Sequence, residues 1–342
     1  MNSKYFLVPL LLVVFLFSCV RHEKAETNGT KVSDPTHLVL ADINKKLEAE
    51  PNNPELYDSR ARYYMLENEF PLALTDISKA VKLSPNNPAF YLTLSDVYLL
   101  MGKPTNCNDA LKQALSLDPR NNPALLRMAK LNLIIKEYKT SMEYIHKALD
   151  VDPVNPQAYF TKALVLLETG DTVKAVADLK RAVDQKQEYF EALMKLGELY
   201  AMKKDPMAAD YLKNAIKILP NSKEALYMLG MFYQETGHFD NALKTYTTLS
   251  KTDTTFRNAP YNMGYIYLVE LKDYKKAVAC FTEALHKDPG YYEAYFNRGY
   301  AYELQGQNEN AGKDYQKSLA IKTNYQKAID GLNRLDKIKR GH

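Results

Sequence analysis

The side chains that most often do chemistry are sparse in this sequence and fall into no working arrangement. The chain holds six histidines and three cysteines among its 342 residues. A zinc site needs His, Cys or carboxylate ligands at short, fixed spacings, such as two histidines one helical turn apart with a glutamate between them. His22, His37, His146, His238, His286 and His342 form no such pair, and none sits beside a plausible cysteine ligand. They read as surface or turn residues. Cys19, Cys107 and Cys280 are too few for a disulfide framework or a four-cysteine metal site. Phosphate-cradling loops and the nucleophile turn of serine hydrolases have the signatures G-x-x-x-x-G-K-[ST], G-x-G-x-x-G and G-x-S-x-G, and none occurs. The carboxylates recur in no pair suited to acid–base work. These residues point to a protein that is not an enzyme and uses neither metal nor cofactor.

Charge narrows the partners. Forty-five Lys and Arg against 41 Asp and Glu leave a net charge of +4, too balanced for binding driven by phosphate neutralisation. No basic block is interleaved with stacking aromatics, so nucleic acid is not expected as a partner. The unusual feature is aromatic usage: 26 tyrosines and no tryptophan.

One cysteine has a placement that suits covalent chemistry. Lys4 is followed by an apolar run from Tyr5 to Ser18, too short to span a bilayer in helix and interrupted by Pro9. A charged start, a short apolar centre and a small residue at its end read as a secretory signal. Leu16-Phe17-Ser18-Cys19 then resembles the lipobox of bacterial lipoproteins, with Phe17 departing from the usual smaller residue. The resemblance implies a signal peptide over 1–18, acylation (palmitate among the chains) at Cys19, and anchoring in the outer membrane. Exposure on the periplasmic side is expected. Residues 19–33 are polar and read as a flexible tether. Asn28-Gly29-Thr30 fits the N-glycosylation pattern and is taken as chance.

The elements that must position everything else come from an internal repeat. Pro51, Pro85, Pro119 and Pro153 lie 34 residues apart, and Pro220 and Pro289 return later in phase to within one residue. On this period the chain divides into eight units: 54–87, 88–121, 122–155, 156–189, 190–222, 223–256, 257–291 and 292–325. Each unit carries the apolar spacing of two amphipathic helices. Position eight is small throughout: Ala61, Ser95, Ala129, Ala163, Gly197, Gly230, Gly264, Gly299. Position 20 is also small and includes Cys107, which reads as a packing thiol, as does Cys280 beside the large Phe281 slot. Position 27 is small except at Leu249, whereas position 24 is large: Ile77, Leu111, Ile145, Leu179, Leu212, Tyr246, Phe281, Tyr315. Small columns let helix backbones approach, and the large column fills the gap. About five repeats separate Cys107 from Cys280, which argues against a disulfide.

These columns, the period and the closing prolines resemble the tetratricopeptide repeat (TPR) family. Tyr64, Tyr98, Tyr200, Tyr233, Tyr267 and Tyr302 at position eleven belong to the same pattern. Asn132 and Leu166 depart from it, as do Gln187, Thr254 and Thr323 at the proline and Pro260 at position four. The junction of units six and seven is therefore the expected place for an irregular bend. The fold implied is an all-α, right-handed superhelical solenoid of eight helix-turn-helix repeats spanning 54–325. Residues 34–53, opening on Asp34-Pro35 as a helix start, read as a partial first repeat. Residues 326–342 read as a C-terminal capping helix, apolar on one side and basic on the other.

In that family the first helices line a concave groove, so the resemblance implies that positions five and nine face it. Units one to three place Asp58/Arg62, Leu92/Asp96 and Leu126/Lys130 there. From unit four the pairs become Phe160/Leu164, Met194/Glu198, Tyr227/Met231, Tyr261/Tyr265 and Phe296/Tyr300. Phe160, Met194, Tyr227, Met231, Tyr261, Tyr265, Phe296 and Tyr300 are thus the candidate groove for an extended or helical peptide. The competing reading is that the same rings pack on neighbouring repeats. No unit has the Lys-five, Asn-nine pair of the co-chaperone carboxylate clamp. Only Asn262 and Asn297 fit the asparagine ladder of TPR glycosyltransferases, and no room remains for their catalytic domain. The expected function is a non-catalytic scaffold in the bacterial envelope that binds a partner protein or peptide. The alternatives are a solute-binding subunit of an uptake system and an assembly factor working through the convex face.

Overall fold

A computed structural model of the chain describes residues 35–340. The apolar leader 1–18, Cys19, the polar segment to residue 33, Asp34 and His342 lie outside the described residues. The described residues fold as helices joined by short turns, with no strand among them. A lone helix α1 (Pro35–Ala49) comes first. Four pairs follow: α2 (Pro54–Leu66) with α3 (Phe70–Leu83), α4 (Pro88–Leu100) with α5 (Pro104–Leu117), α6 (Asn122–Ile134) with α7 (Tyr138–Val151), and α8 (Pro156–Glu168) with α9 (Thr172–Gln185). Four more are α10 (Phe190–Met202) with α11 (Met207–Ile218), α12 (Lys223–Glu235) with α13 (Phe239–Thr252), α14 (Asn258–Tyr265) with α15 (Tyr274–Lys287), and α16 (Tyr292–Leu304) with α17 (Asn308–Ile321). The last helix is α18 (Gln326–Lys339), packed on α17 and α16. This is the all-α repeat fold expected from the columns. Contacts divide the chain into two compact units, Met1–Gln185 and Lys186–His342, each holding four of the pairs.

Turn chemistry sets where each first helix begins. Asn53, Asn87, Asn121, Asn155 and Ser222 are N-caps whose side-chain oxygens accept from a backbone N–H in the first turn. Proline stands at the first or second helical position of α2, α4, α6 and α8, where no N–H is needed. Three of the tyrosines at position four brace the same turn. Tyr57, Tyr91 and Tyr159 donate their hydroxyls to the carbonyls of Pro51, Pro85 and Pro153, six residues back, at 2.9, 3.0 and 2.8 Å. Tyrosine thus fills the large slot and closes the inter-repeat turn.

Inside each pair, position eight of the first helix meets position 24 of the second. All eight position-24 side chains are fully buried. In the unit 186–340 the fit is tightest: a Cβ on Gly230 would stand 2.5 Å from Tyr246 Cε1, one on Gly264 2.8 Å from Phe281, and one on Gly197 2.6 Å from Leu212. These glycines leave the space that the facing side chain occupies. In the unit ending at Gln185 the facing residues are Ile or Leu, and position eight carries Ala or Ser.

Between the two helices of every pair one residue has positive φ: Asn68, Gly102, Lys136, Gly170, Lys204, Gly237, Lys272 and Gly306. It reverses the chain at the end of the first helix. The two units of irregular length keep this device. The junction of units six and seven has an ordinary turn, with Phe256 N–H donating to Asp253 as Asn155 does to Asp152. Pro260 lies in the first turn of α14, where it interrupts no hydrogen bond. The irregularity expected there sits further on, where α14 continues as a π-helical turn, Ile266–Glu270. Leu271 N–H donates to Ile266 C=O five residues back, so the extra residue is taken up inside the helix. In unit five the missing residue comes out at the start of α11, which has 12 residues where the other second helices have 14.

Overpacking is the sensitive failure of such a core. Gly230→Ala should lower stability by about 1–3 kcal/mol through its clash with Tyr246. Urea unfolding should show a lower midpoint; an unchanged midpoint would mean that the two helices are free to separate.

Candidate functional site

Successive first helices meet one another within each unit: α2 packs on α4, α6 on α8, and α10 on α12. Positions two, five and nine of a helix are spaced i, i+3, i+7 and share one face. Hydrogen bonds between neighbouring first helices arise from this face and the position beside it.

In the unit ending at Gln185 the polar groups of the face are engaged with each other. Arg62 pairs with Asp58 at 2.7 Å and donates to Thr93 on the next first helix at 2.6 Å. Arg127 grips both oxygens of Asp96 at 2.9 Å. Leu126 is buried, and Phe160, the candidate from this unit, is half-buried.

The remaining candidates all belong to the unit 186–340, and the structure divides them. Met194 is only 2% exposed and is withdrawn from the face: it fills core space and offers a partner nothing. Tyr261 is half-buried, stacked on Tyr291 with centroids 4.7 Å apart and packed on Phe281 at 5.6 Å. Phe296 is held between Tyr315 and Tyr325 at 5.7 and 5.5 Å. Tyr227 leans on Phe256 and Tyr246. For these rings the packing role is real. Of the remaining three, Tyr265 is 39% exposed. Met231 and Tyr300 are half-buried like those rings, Tyr300 stacking on Phe296 with centroids 6.4 Å apart. Among the described residues the hydroxyls of Tyr227, Tyr265 and Tyr300 make no hydrogen bond, whereas those of Tyr246, Tyr261 and Tyr315 do. The surface is an aromatic strip with spare donors.

Asn262 and Asn297 serve buried phenols. Asn262 donates to the Tyr246 hydroxyl at 3.2 Å and Asn297 to that of Tyr261 at 2.9 Å. Burial pushes both phenols well above the usual tyrosine range. The other partners of buried phenols were not singled out from sequence. Tyr246 donates to Gln234 at 3.0 Å, and Tyr315 donates to Glu303. Arg334 of α18 grips both oxygens of Glu303 at 2.8 Å and lies over the Tyr300 ring. A signal existed: where position 24 is tyrosine, position 12 is Gln or Glu.

Among the described residues no three His, Cys, Asp or Glu gather as metal ligands, and no helix is long and apolar enough to cross a membrane. His146, His238 and His286 are exposed. Cys107 is buried, with its thiol pushed up to about 12 by burial, as a packing thiol requires. Cys280 differs from the expectation: it is only half-buried, although burial still raises it to about 11.

Sequence models of the tetratricopeptide repeat match residues 88–121, 137–189, 160–223, 223–253 and 266–327, well over half of the chain. The chain belongs to the tetratricopeptide repeat family. It is 30% identical over 138 residues to the Hsp70-Hsp90 organizing protein 1 of Glycine max, a match covering 38% of this chain and 24% of that protein. It is 23% identical over 194 residues to the DnaJ homolog subfamily C member 3 of Gallus gallus, covering 52% of this chain and 38% of that one. It therefore spans between about a quarter and two fifths of these relatives' lengths. The C-terminal part of a TPR repeat-containing protein from Cytophaga hutchinsonii superposes with a TM-score of 0.51 at 16% identity, over 80% of this chain and 98% of that one. That likeness is one of fold.

The Glu303 cluster makes stability depend on pH. Burial opposes ionisation of Glu303, but the hydrogen bonds from Arg334 and Tyr315 outweigh it and hold the carboxyl below the usual range. A depressed folded-state pKa contributes stability above the unfolded value, lost as pH falls through the folded one. Glu303→Gln should cost about 1–2 kcal/mol at pH 7, with the difference from wild type closing below about pH 4. Thermal unfolding followed at pH 7, 5 and 3 checks this; a gap constant with pH would exclude the ion pair as its source.

Proposed function

We propose that this protein is a non-catalytic interaction scaffold of the bacterial cell envelope. In this reading it is held to a membrane by lipid on Cys19, and it binds a partner protein or peptide on the first-helix face of residues 186–340. Family membership supports the scaffold role. The observation that carries the choice of face is the row Met231, Tyr265 and Tyr300, in which Tyr265 is exposed and the hydroxyls of Tyr265 and Tyr300 make no hydrogen bond among the described residues. Tyrosine suits a binding face because it offers large contact area with few rotors to freeze and a hydroxyl to donate. Two relatives carry chaperone-related names, but no unit here combines Lys at position five with Asn at position nine. Tail capture through that clamp is therefore not proposed. The lipobox-like Leu16-Phe17-Ser18-Cys19 supports the anchor, and several acyl chains would make attachment firm.

Two measurements test the reading. With the fold unchanged by circular dichroism, Tyr265→Ala combined with Tyr300→Ala should reduce crosslinking to the partner in intact cells about tenfold or more. Undiminished crosslinking would move binding to another face. Cys19→Ala should shift the protein from the membrane to the soluble fraction; retention in the membrane would rule out lipid at Cys19 as the anchor.

A further inference from the structure

Charge on the same face narrows the kind of partner it can hold, an inference that rests on the scaffold reading above. Within residues 186–340 the charges sort by helix. Each of the first helices α10, α12, α14 (with its π turn) and α16 carries a net charge of −1. The second helices run the other way: α11 and α13 are +1, α15 is +2 and α17 is neutral. The few cations on the first helices are already engaged, as is Arg334 of α18, which lies over the Tyr300 ring and is held by Glu303. Lys195 holds Glu198 at 2.6 Å, Lys223 holds Asp253 at 3.0 Å, and Arg298 holds Asp314 at 2.7 Å. Glu224 stands three residues before Tyr227 and seven before Met231; Glu293 has the same spacing to Phe296 and Tyr300. Each carboxylate therefore shares a helix face with the aromatic strip. The negative charge of Glu293 is felt by the phenols of Tyr261, Tyr291 and Tyr325.

The corresponding helices of residues 35–185 lack this pattern. There α2 and α8 are neutral, α6 is +2, and α4 is −1 through Asp96 alone, which Arg127 takes as Arg62 takes Asp58. An acid-rimmed aromatic strip disfavours an acidic peptide and favours guanidinium or ammonium groups. These stack on tyrosine faces and hydrogen-bond to carboxylates, Arg doing both at once.

We propose that the Met231–Tyr265–Tyr300 strip, flanked by Glu224 and Glu293, binds an extended cationic segment of a protein partner, with Arg or Lys side chains set between the carboxylates and the rings.

The probes are two fluorescein-labelled peptide pools of equal length and equal Leu, Ala and Ser content, one with Arg at every third position and one with Glu there. Each is titrated against the full chain by fluorescence anisotropy. The Arg pool should bind at least about tenfold more tightly than the Glu pool. Glu224→Gln combined with Glu293→Gln should weaken the Arg pool about five- to tenfold, while Glu309→Gln on α17, an exposed control, should leave it unchanged. Equal binding of the two pools, or wild-type binding by the double Gln variant, would overturn the proposal. The crosslinking experiment separates this failure from that of the scaffold reading. If Tyr265 and Tyr300 still govern a crosslink whose partner segment is acidic or neutral, the cationic assignment falls and the scaffold stands. If neither crosslink nor peptide binding depends on the face, both fall.

Discussion

The approach of each first helix to its second decides the rest of this protein. Position eight sets how near the backbones come, and position 24 must fill what remains. Where position 24 is Ile or Leu, an Ala or Ser is tolerated opposite in the unit ending at Gln185; where it is Tyr or Phe, only glycine stands there. The larger ring brings its own requirement. A buried phenol must give its hydroxyl a partner, and the partner has to come from the rim of the pair. Tyr246 draws in Gln234 and Asn262; Tyr315 draws in Glu303, which in turn holds Arg334 on α18. Phe281 makes no such demand. A packing choice in the core thus sets the polar residues at the surface, and at the C-terminal end it locks the last helix in place.

Much of this was legible in the sequence because the determining contacts are repeated. The 34-residue period, the small columns and the large column can be read without knowing which residues touch. The eight pairs follow from them. What could not be read was how each position-five or position-nine side chain is used. Met194 and Tyr265 both stand in the groove columns as large apolar residues, yet one is buried and the other 39% exposed. Their neighbours come from helices about 31 to 36 residues away, as the bonds Arg127–Asp96 and Asn297–Tyr261 illustrate. Packing at that range depends on the actual volumes of three helices, which periodicity does not report. Lengths of 33 and 35 residues announced one deletion and one insertion but not their sites. Pro260 drew suspicion to a junction that turned out regular, because a proline in a helix's first turn removes nothing.

The two units make different uses of one pattern. In residues 35–185 the first-helix face closes on itself through Arg–Asp pairs, a use of charge that fixes neighbouring helices and leaves little for an outside partner. In residues 186–340 Lys195 holds Glu198 within its own helix, and Arg298 goes to Asp314 on the second helix beside Tyr295, as Arg60 goes to Asp76 beside Tyr57 in the other unit. The carboxylates and the tyrosines are left to define the surface. The tyrosine surface here is what remains after the core has taken its share of the rings.

The π turn at Ile266–Glu270 shows where the architecture can change length without being rebuilt. Both irregular units differ from the rest between position eight and position 20, one by a residue wound into a helix and the other by a residue trimmed from a helix start. On either side of the alteration the contacting columns resume in phase, and the reversal residue follows the change, falling at Lys272. Val269 and Leu271 face water here, as Leu66, Met202 and Leu304 do at the ends of first helices without such a turn. A single-residue insertion at this segment is absorbed inside one helix while the columns on both sides stay in register.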